Sequence, residues 1–162
     1  GIVGVAGMRK TIDLIRQSNA DFIFTNLVDF DSKYGHRNDP VGYAKALETF
    51  DQELAALLES MQPDDLLFIT ADHGCDPTDV STDHTREYVP LLVAGPRIRG
   101  ARPLGTRSTF GDLGATLCDL LELPKFVTYI RLVSGLIATA RGWDGVTAGS
   151  LSETLTQVWV SP

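Results

Sequence analysis

Two short apolar runs on either side of one long amphipathic stretch constrain this chain more than any other feature. DFIFTNLVD at Asp21–Asp29 and LLFITA at Leu66–Ala71 are rich in β-forming residues and nearly continuously apolar in places. Strands buried on both faces look like this. Between them, from Val41 to Met61, the apolar set Leu47, Phe50, Leu54, Leu57, Leu58 and Met61 recurs every three or four residues. That period predicts an amphipathic helix of about five turns. Pro40 is well placed to start it, and Pro63-Asp64-Asp65 breaks it. Two buried strands joined by a helix imply a right-handed crossover. The expected fold class is therefore α/β, with a largely parallel sheet and flanking helices.

The remaining elements fit around that unit. Arg9–Gln17 reads as a short helix with Ile12 and Ile15 on its apolar side, and Val89–Ala94 as a third strand. Thr109 and Asp112 suggest a capping box, followed by a helix striped by Phe110, Leu113, Leu117, Leu120 and Leu121. After Pro124 the character changes. Lys125–Pro162 has no histidine, few acids and a Gly/Thr/Ser-rich middle at Gly142–Ser152. Helices are expected near Tyr129–Ala140 and Leu151–Val160, but no motif marks this tail.

Charge and cysteine content exclude several classes. Lys and Arg number 14 against 21 Asp and Glu, for a formal charge of -7. Phosphate-backbone binding needs a basic face, so no nucleic-acid partner is expected. The longest apolar stretch, Phe126 to Ala140, is interrupted by Arg131. It falls short of the roughly 18 apolar residues of a membrane span, so no membrane partner is expected either. Cys75 and Cys118 lack CxxC spacing and are too few for a disulfide framework. Both read as buried thiols in a reducing, cytoplasmic setting.

In α/β sheets ligands gather beyond the carboxyl ends of the strands. Asp29–His36 follows the first strand and Asp72–His84 the second, so one rim would collect all three histidines, His36, His73 and His84. That rim lies in residues 1–90, which carry 16 acids against 7 bases. An isolated Asp-His pair is commonly only a hydrogen-bonding pair. Three histidines with neighbouring aspartates are better explained by a cation, because bare clustered carboxylates repel one another. Carboxylate oxygen and imidazole nitrogen together suit Mn²⁺ or Zn²⁺ better than Ca²⁺.

VDFDSKYGHRNDPVGY at Val28–Tyr43, TADHGCDPT at Thr70–Thr78 and TDHTREYVPLLVAGP at Thr82–Pro96 resemble the phosphopentomutase family of the alkaline phosphatase superfamily. The resemblance runs from about Gly7 to Leu121 and matches the last part of that family's chain. It implies two divalent metal ions, usually Mn²⁺, with Asp72 and His73 on one and Asp31, His36 and His84 on the other. Asp29, two residues from Asp31, is a rival that only the motif match sets aside. Asp76, Asp79 and Asp83 read as solvated loop acids or as partners behind the ligands. Arg37 and Arg86 are candidates for a substrate phosphate, and equally for salt bridges to these acids. Cys75 reads as a small packed residue.

The resemblance further implies in-line phosphoryl transfer between C1 and C5 of ribose or deoxyribose phosphate, by way of a phosphorylated threonine. No threonine here matches that nucleophile's motif: Thr70, Thr78, Thr82 and Thr85 lie near the ligands but none is nominated. The expectation is that residues 1–123 form the C-terminal part of a metalloenzyme core domain of partial alkaline-phosphatase type. Residues 124–162 would be a tail of unknown affinity, with the N-terminal core and cap absent and the chain inactive alone. Cofactor-independent phosphoglycerate mutase, or a phosphatase of the same superfamily, is the close alternative. The five-residue Asp31–His36 and eleven-residue His73–His84 spacings favour phosphopentomutase. A metal-binding remnant without catalysis is a further alternative. A sheet edge left bare by missing N-terminal strands would invite self-association.

Overall fold

Met8, Ile12 and Ile15 stand at helical spacing and are almost wholly buried on helix α1, Val3–Gln17. The computed structural model describes residues 3–123 and the backbone of two further strands, 136–140 and 158–160. Strand β1 is Phe22–Thr25, and a π-helical turn, Asp29–Gly35, follows it. Helix α2 spans Pro40–Ser60, β2 Leu66–Thr70, β3 Val89–Ala94 and α3 Gly111–Leu120. The last two strands are β4, Leu136–Ala140, and β5, Val158–Val160. No helix among the described residues is long and apolar enough to cross a membrane.

Helix α2 begins as its sequence suggests, with Pro40 in the first turn and the Asp39 carboxylate accepting from the Gly42 amide at 2.9 Å. Its end is set by Asp65, buried, whose carboxylate accepts from the Gln62 amide at 2.8 Å. The buried stripe differs in phase from the expected one. Ala46, Leu57 and Ser60 are buried, whereas Leu47 and Leu58 lie 49% and 43% exposed on the flank.

Strand β2 is buried on both faces because its neighbouring side chains alternate between two cores. Leu66 and Phe68 join Val89, Leu91, Leu113, Leu117 and Leu120 under α3. Leu67 joins Met8, Ile12, Ile15, Ile23, Leu27 and Leu57 between the sheet and helices α1 and α2. The buried hydroxyl of Thr11 ties α1 to β1 through Thr25 Oγ1 at 2.5 Å.

The fold is mixed α/β, but the largely parallel sheet is not what forms. The strand order is β1-β4-β2-β3-β5, and every neighbouring pair is antiparallel. Strands β1 and β2 do run parallel to each other, each antiparallel to β4, and the helical connection between them permits it. They are not neighbours, because β4 lies between them: Ala138 pairs with Phe24 on one side and Phe68 on the other. Strand β3 returns from β2 through a loop, which permits the antiparallel pairing of Thr70 with Leu91. The slot that would have left bare edges on β1 and β2 is thus filled from the tail.

Two other expectations change. The helix expected at Tyr129–Ala140 is a strand over Leu136–Ala140, and that expected at Leu151–Val160 is a strand over Val158–Val160. Pairing with strands distant in sequence overrides local propensity in both. The rest of each span, 129–135 and 151–157, lies outside the described residues. The Thr109–Asp112 capping box does not form either. Asp112 is engaged by Arg107 Nε at 2.8 Å, and Thr109 Oγ1 accepts from the Gly111 amide at 3.1 Å.

Candidate metal centre

The five-residue step from Asp31 to His36 has a structural cause. The turn that carries them is π-helical, and the His36 amide donates to the Asp31 carbonyl, five residues back, at 2.9 Å. A π-turn places such residues one above the other, whereas an α-turn would offset them. Asp29, at the start of the turn, is buried and accepts from the Gly4 amide at 3.3 Å. It anchors α1 and stays out of the cluster.

The second half of the centre follows β2. Asp72 and His73 leave the strand end, and Gly74 lets the chain fold back tightly. A methyl group at Gly74 would lie 2.6 Å from a Glu87 carboxylate oxygen and 2.7 Å from the Thr85 carbonyl. There an antiparallel bridge joins Gly74 to Thr85, with the Thr85 amide donating to the Gly74 carbonyl at 3.1 Å. The Thr85 hydroxyl accepts from the Asp76 amide at 2.7 Å. This closure lays His84 on His73, rings stacked at 3.6 Å and 19°. His36 completes the group, 4.9 Å from the His84 ring.

All three imidazoles converge on one oxygen. Asp31 Oδ1 lies 3.3 Å from His36 Nε2, 3.4 Å from His84 Nε2 and 3.8 Å from His73 Nε2. Asp72 Oδ1 stands 3.5 Å from His73 Nε2. Both carboxylate oxygens are buried and neither has a hydrogen-bond partner. On the far side of each ring, His36 Nδ1 meets the Thr82 carbonyl and His73 Nδ1 the Gly74 carbonyl, the latter at 3.0 Å. A carbonyl only accepts, so Nδ1 of His36 and of His73 donates there, and Nε2 is the ring atom left facing Asp31. A divalent cation among these nitrogens would give both orphaned carboxylate oxygens a partner. Asp31, His36 and His84 offer three ligand atoms within 4.8 Å of one another, and His73 links them to Asp72.

The other candidates fall outside this cluster. Arg37 and Arg86 are exposed and, among the described residues, make no hydrogen bond or ion pair. The Asp76 carboxylate accepts from the Thr78 amide at 2.8 Å and its hydroxyl at 2.7 Å. These bonds hold the exposed Asp76 carboxyl below the usual carboxylate range. Asp79 accepts from the Ser81 amide, and the Asp83 amide donates to the Ser81 hydroxyl, both at 3.0 Å. These acids shape the loop. The Cys75 thiol is pushed up by burial and then by the charges of Asp31, Glu87 and Asp76.

Two groups escaped sequence reasoning. One is the Thr82 carbonyl, a backbone atom with no residue-type signature. The other is Tyr43, whose ring lies against Phe30, tilted by 58° with 5.4 Å between centroids. Burial raises its phenol pKa first, then the charges of Cys75, Asp31 and Asp76. Its available signal was position, one turn into α2 on the same side as Ala46 and Phe50.

The chain matches the model of the Metalloenzyme superfamily over residues 4–125. It is 62% identical over 114 residues to a phosphopentomutase of Kosmotoga olearia, covering 70% of this chain and 29% of that protein. With the Thermotoga maritima phosphopentomutase the identity is 59% over 119 residues, covering 73% and 30%. For that of Desulfitobacterium hafniense it is 56% over 131 residues, covering 81% and 34%. The chain thus spans about a third of the length of the curated relatives it matches. The matched span holds every residue of the cluster, and the chain belongs to the Metalloenzyme superfamily.

Proposed function

We propose that this chain supplies the metal-holding part of a phosphopentomutase, which interconverts ribose or deoxyribose 1-phosphate and 5-phosphate. The observation that carries the reading is Asp31 Oδ1, buried without a partner where three Nε2 atoms meet. Asp31, His36 and His84 hold one divalent ion, Asp72 and His73 the other, and Mn²⁺ suits this mixed donor set. Such ions, when bound, supply positive charge against the phosphoryl oxygens of an in-line displacement.

The chain's own residues do the positioning. Asp31 sets the point on which the ligands converge, and the Thr82 and Gly74 carbonyls fix the tautomers of His36 and His73. Arg37 and Arg86, exposed beside the ligands, are suited to pair with a pentose phosphate. Residues 1–123 belong to the core domain of the enzyme, 124–162 are the tail that adds β4 and β5 to its sheet, and the setting is the cytoplasm.

The nucleophilic threonine is not among these residues. The hydroxyls of Thr70, at the end of β2, and of Thr78 and Thr85, in the loop after it, are already engaged in hydrogen bonds. With Mn²⁺ present, the chain alone should therefore leave ribose 1-phosphate unconverted. Adding the part of the Thermotoga maritima phosphopentomutase that precedes its matched region should restore formation of ribose 5-phosphate. Turnover by the chain alone would contradict the missing nucleophile, and no rescue would contradict the segment reading in favour of a metal-binding remnant.

Self-association through a sheet edge belongs to the same reading, and β1 is suited to it: it ends the strand order, and Phe22 and Phe24 are exposed. Light scattering should show species heavier than the monomer. A single monomer peak would rule this out.

A further inference from the structure

The cluster is assembled from two separate segments, the π-turn with Asp31 and His36 and the loop with His73 and His84. Their separation decides whether the Nε2 atoms meet one oxygen. Gly35, buried, lies immediately before His36 at the end of the π-turn. A methyl carbon built there would overlap Cys75 Sγ outright, and would lie 3.0 Å from the Phe30 carbonyl and 3.4 Å from Cys75 Cβ. The thiol therefore fills the hollow left by the missing side chain. Cys75 stands two residues after His73, and its neighbours on both sides are pinned to Thr85. Two further ties join the segments nearer the surface: His36 Nδ1 to the Thr82 carbonyl, and Asn38 Nδ2 to the Asp79 carbonyl at 3.0 Å.

We propose that Gly35 and Cys75 form a positioning pair whose close contact sets the distance between the two ligand-bearing segments. Close-packed contacts are steep, so an added methyl group moves one segment against the other. The pair is outside the ligand set and acts through the segments that carry His36 and His84. This rests on the reading of Asp31, His36 and His84 as metal ligands.

The test is calorimetric titration of Mn²⁺ into the full 162-residue chain, with the metal-free melting temperature measured for each variant. Gly35→Ala should bind Mn²⁺ at least about tenfold more weakly, the scale seen when groups that orient ligands are lost. Cys75→Ala, which leaves a small gap and no clash, should stay within roughly threefold of the unsubstituted chain. Gly35→Ala combined with Cys75→Ala should recover most of the loss, because removing Sγ relieves the outright overlap and leaves only the tight contact with the Phe30 carbonyl. Unchanged affinity in Gly35→Ala, even with a lowered melting temperature, would overturn the proposal. So would a double variant as weak as Gly35→Ala alone. If the unsubstituted chain takes up no Mn²⁺, the ligand assignment itself falls, and the positioning pair with it.

Discussion

Asp31→Asn should abolish the rise in melting temperature that Mn²⁺ gives the unsubstituted chain, while leaving the metal-free protein no less stable. An ion bound only by the folded state at a hundred times its Kd stabilises by about 2.7 kcal/mol. In a domain of this size that is roughly 10 °C. Asp31 Oδ1 is the oxygen that three imidazoles face, so losing its charge should weaken binding by about two orders of magnitude or more. The metal-free direction follows from the same geometry. That oxygen is buried without a partner, and a neutral amide there leaves no uncompensated anion. Differential scanning calorimetry with and without Mn²⁺ reads both. A variant that keeps the Mn²⁺ shift, or melts well below the parent without metal, would contradict this assignment.

Leu57→Ala should destabilise the chain by about 2–5 kcal/mol and lower its melting temperature by roughly 5–20 °C. Leu57 is completely buried among Met8, Ile12, Ile15, Ile23, Leu27 and Leu67, where α1 and α2 close on the sheet. Truncation there removes transfer energy and leaves a cavity in a cluster fixed on three sides by regular elements. Since whole domains are stable by only about 5–15 kcal/mol, the loss is a large share. Leu58→Ala, at the next position but 43% exposed, should change stability by no more than about 0.5 kcal/mol. Below the melting range, Leu57→Ala should still bind Mn²⁺ within about threefold of the parent, because Leu57 touches no ligand. Urea denaturation and metal titration separate these effects. Equal losses for Leu57 and Leu58 would contradict the packing described.

That contrast shows what the sequence carries and what it does not. Periodicity locates α2 and most of its apolar residues, yet Leu57 and Leu58 read alike until the buried stripe is phased by Ala46 and Ser60. That the three histidines and neighbouring aspartates gather at one rim was legible from residue type and order, whereas only the family resemblance chose Asp31 over Asp29. The π-turn that gives the five-residue spacing its meaning was not, because its hydrogen bonds lie in the backbone. Nor was the Thr82 carbonyl that fixes the His36 tautomer. Strand direction was misread for a physical reason: β4, the strand between β1 and β2, comes from a tail without strand patterning. Its place is decided by pairing partners more than 60 positions away in the sequence.

The metal centre is tested most directly by calorimetric titration of Mn²⁺ into the unsubstituted chain, His36→Ala and His84→Ala. The cluster predicts saturable binding to the unsubstituted chain and at least about tenfold weaker binding to each variant. Binding of equal strength in all three would contradict it.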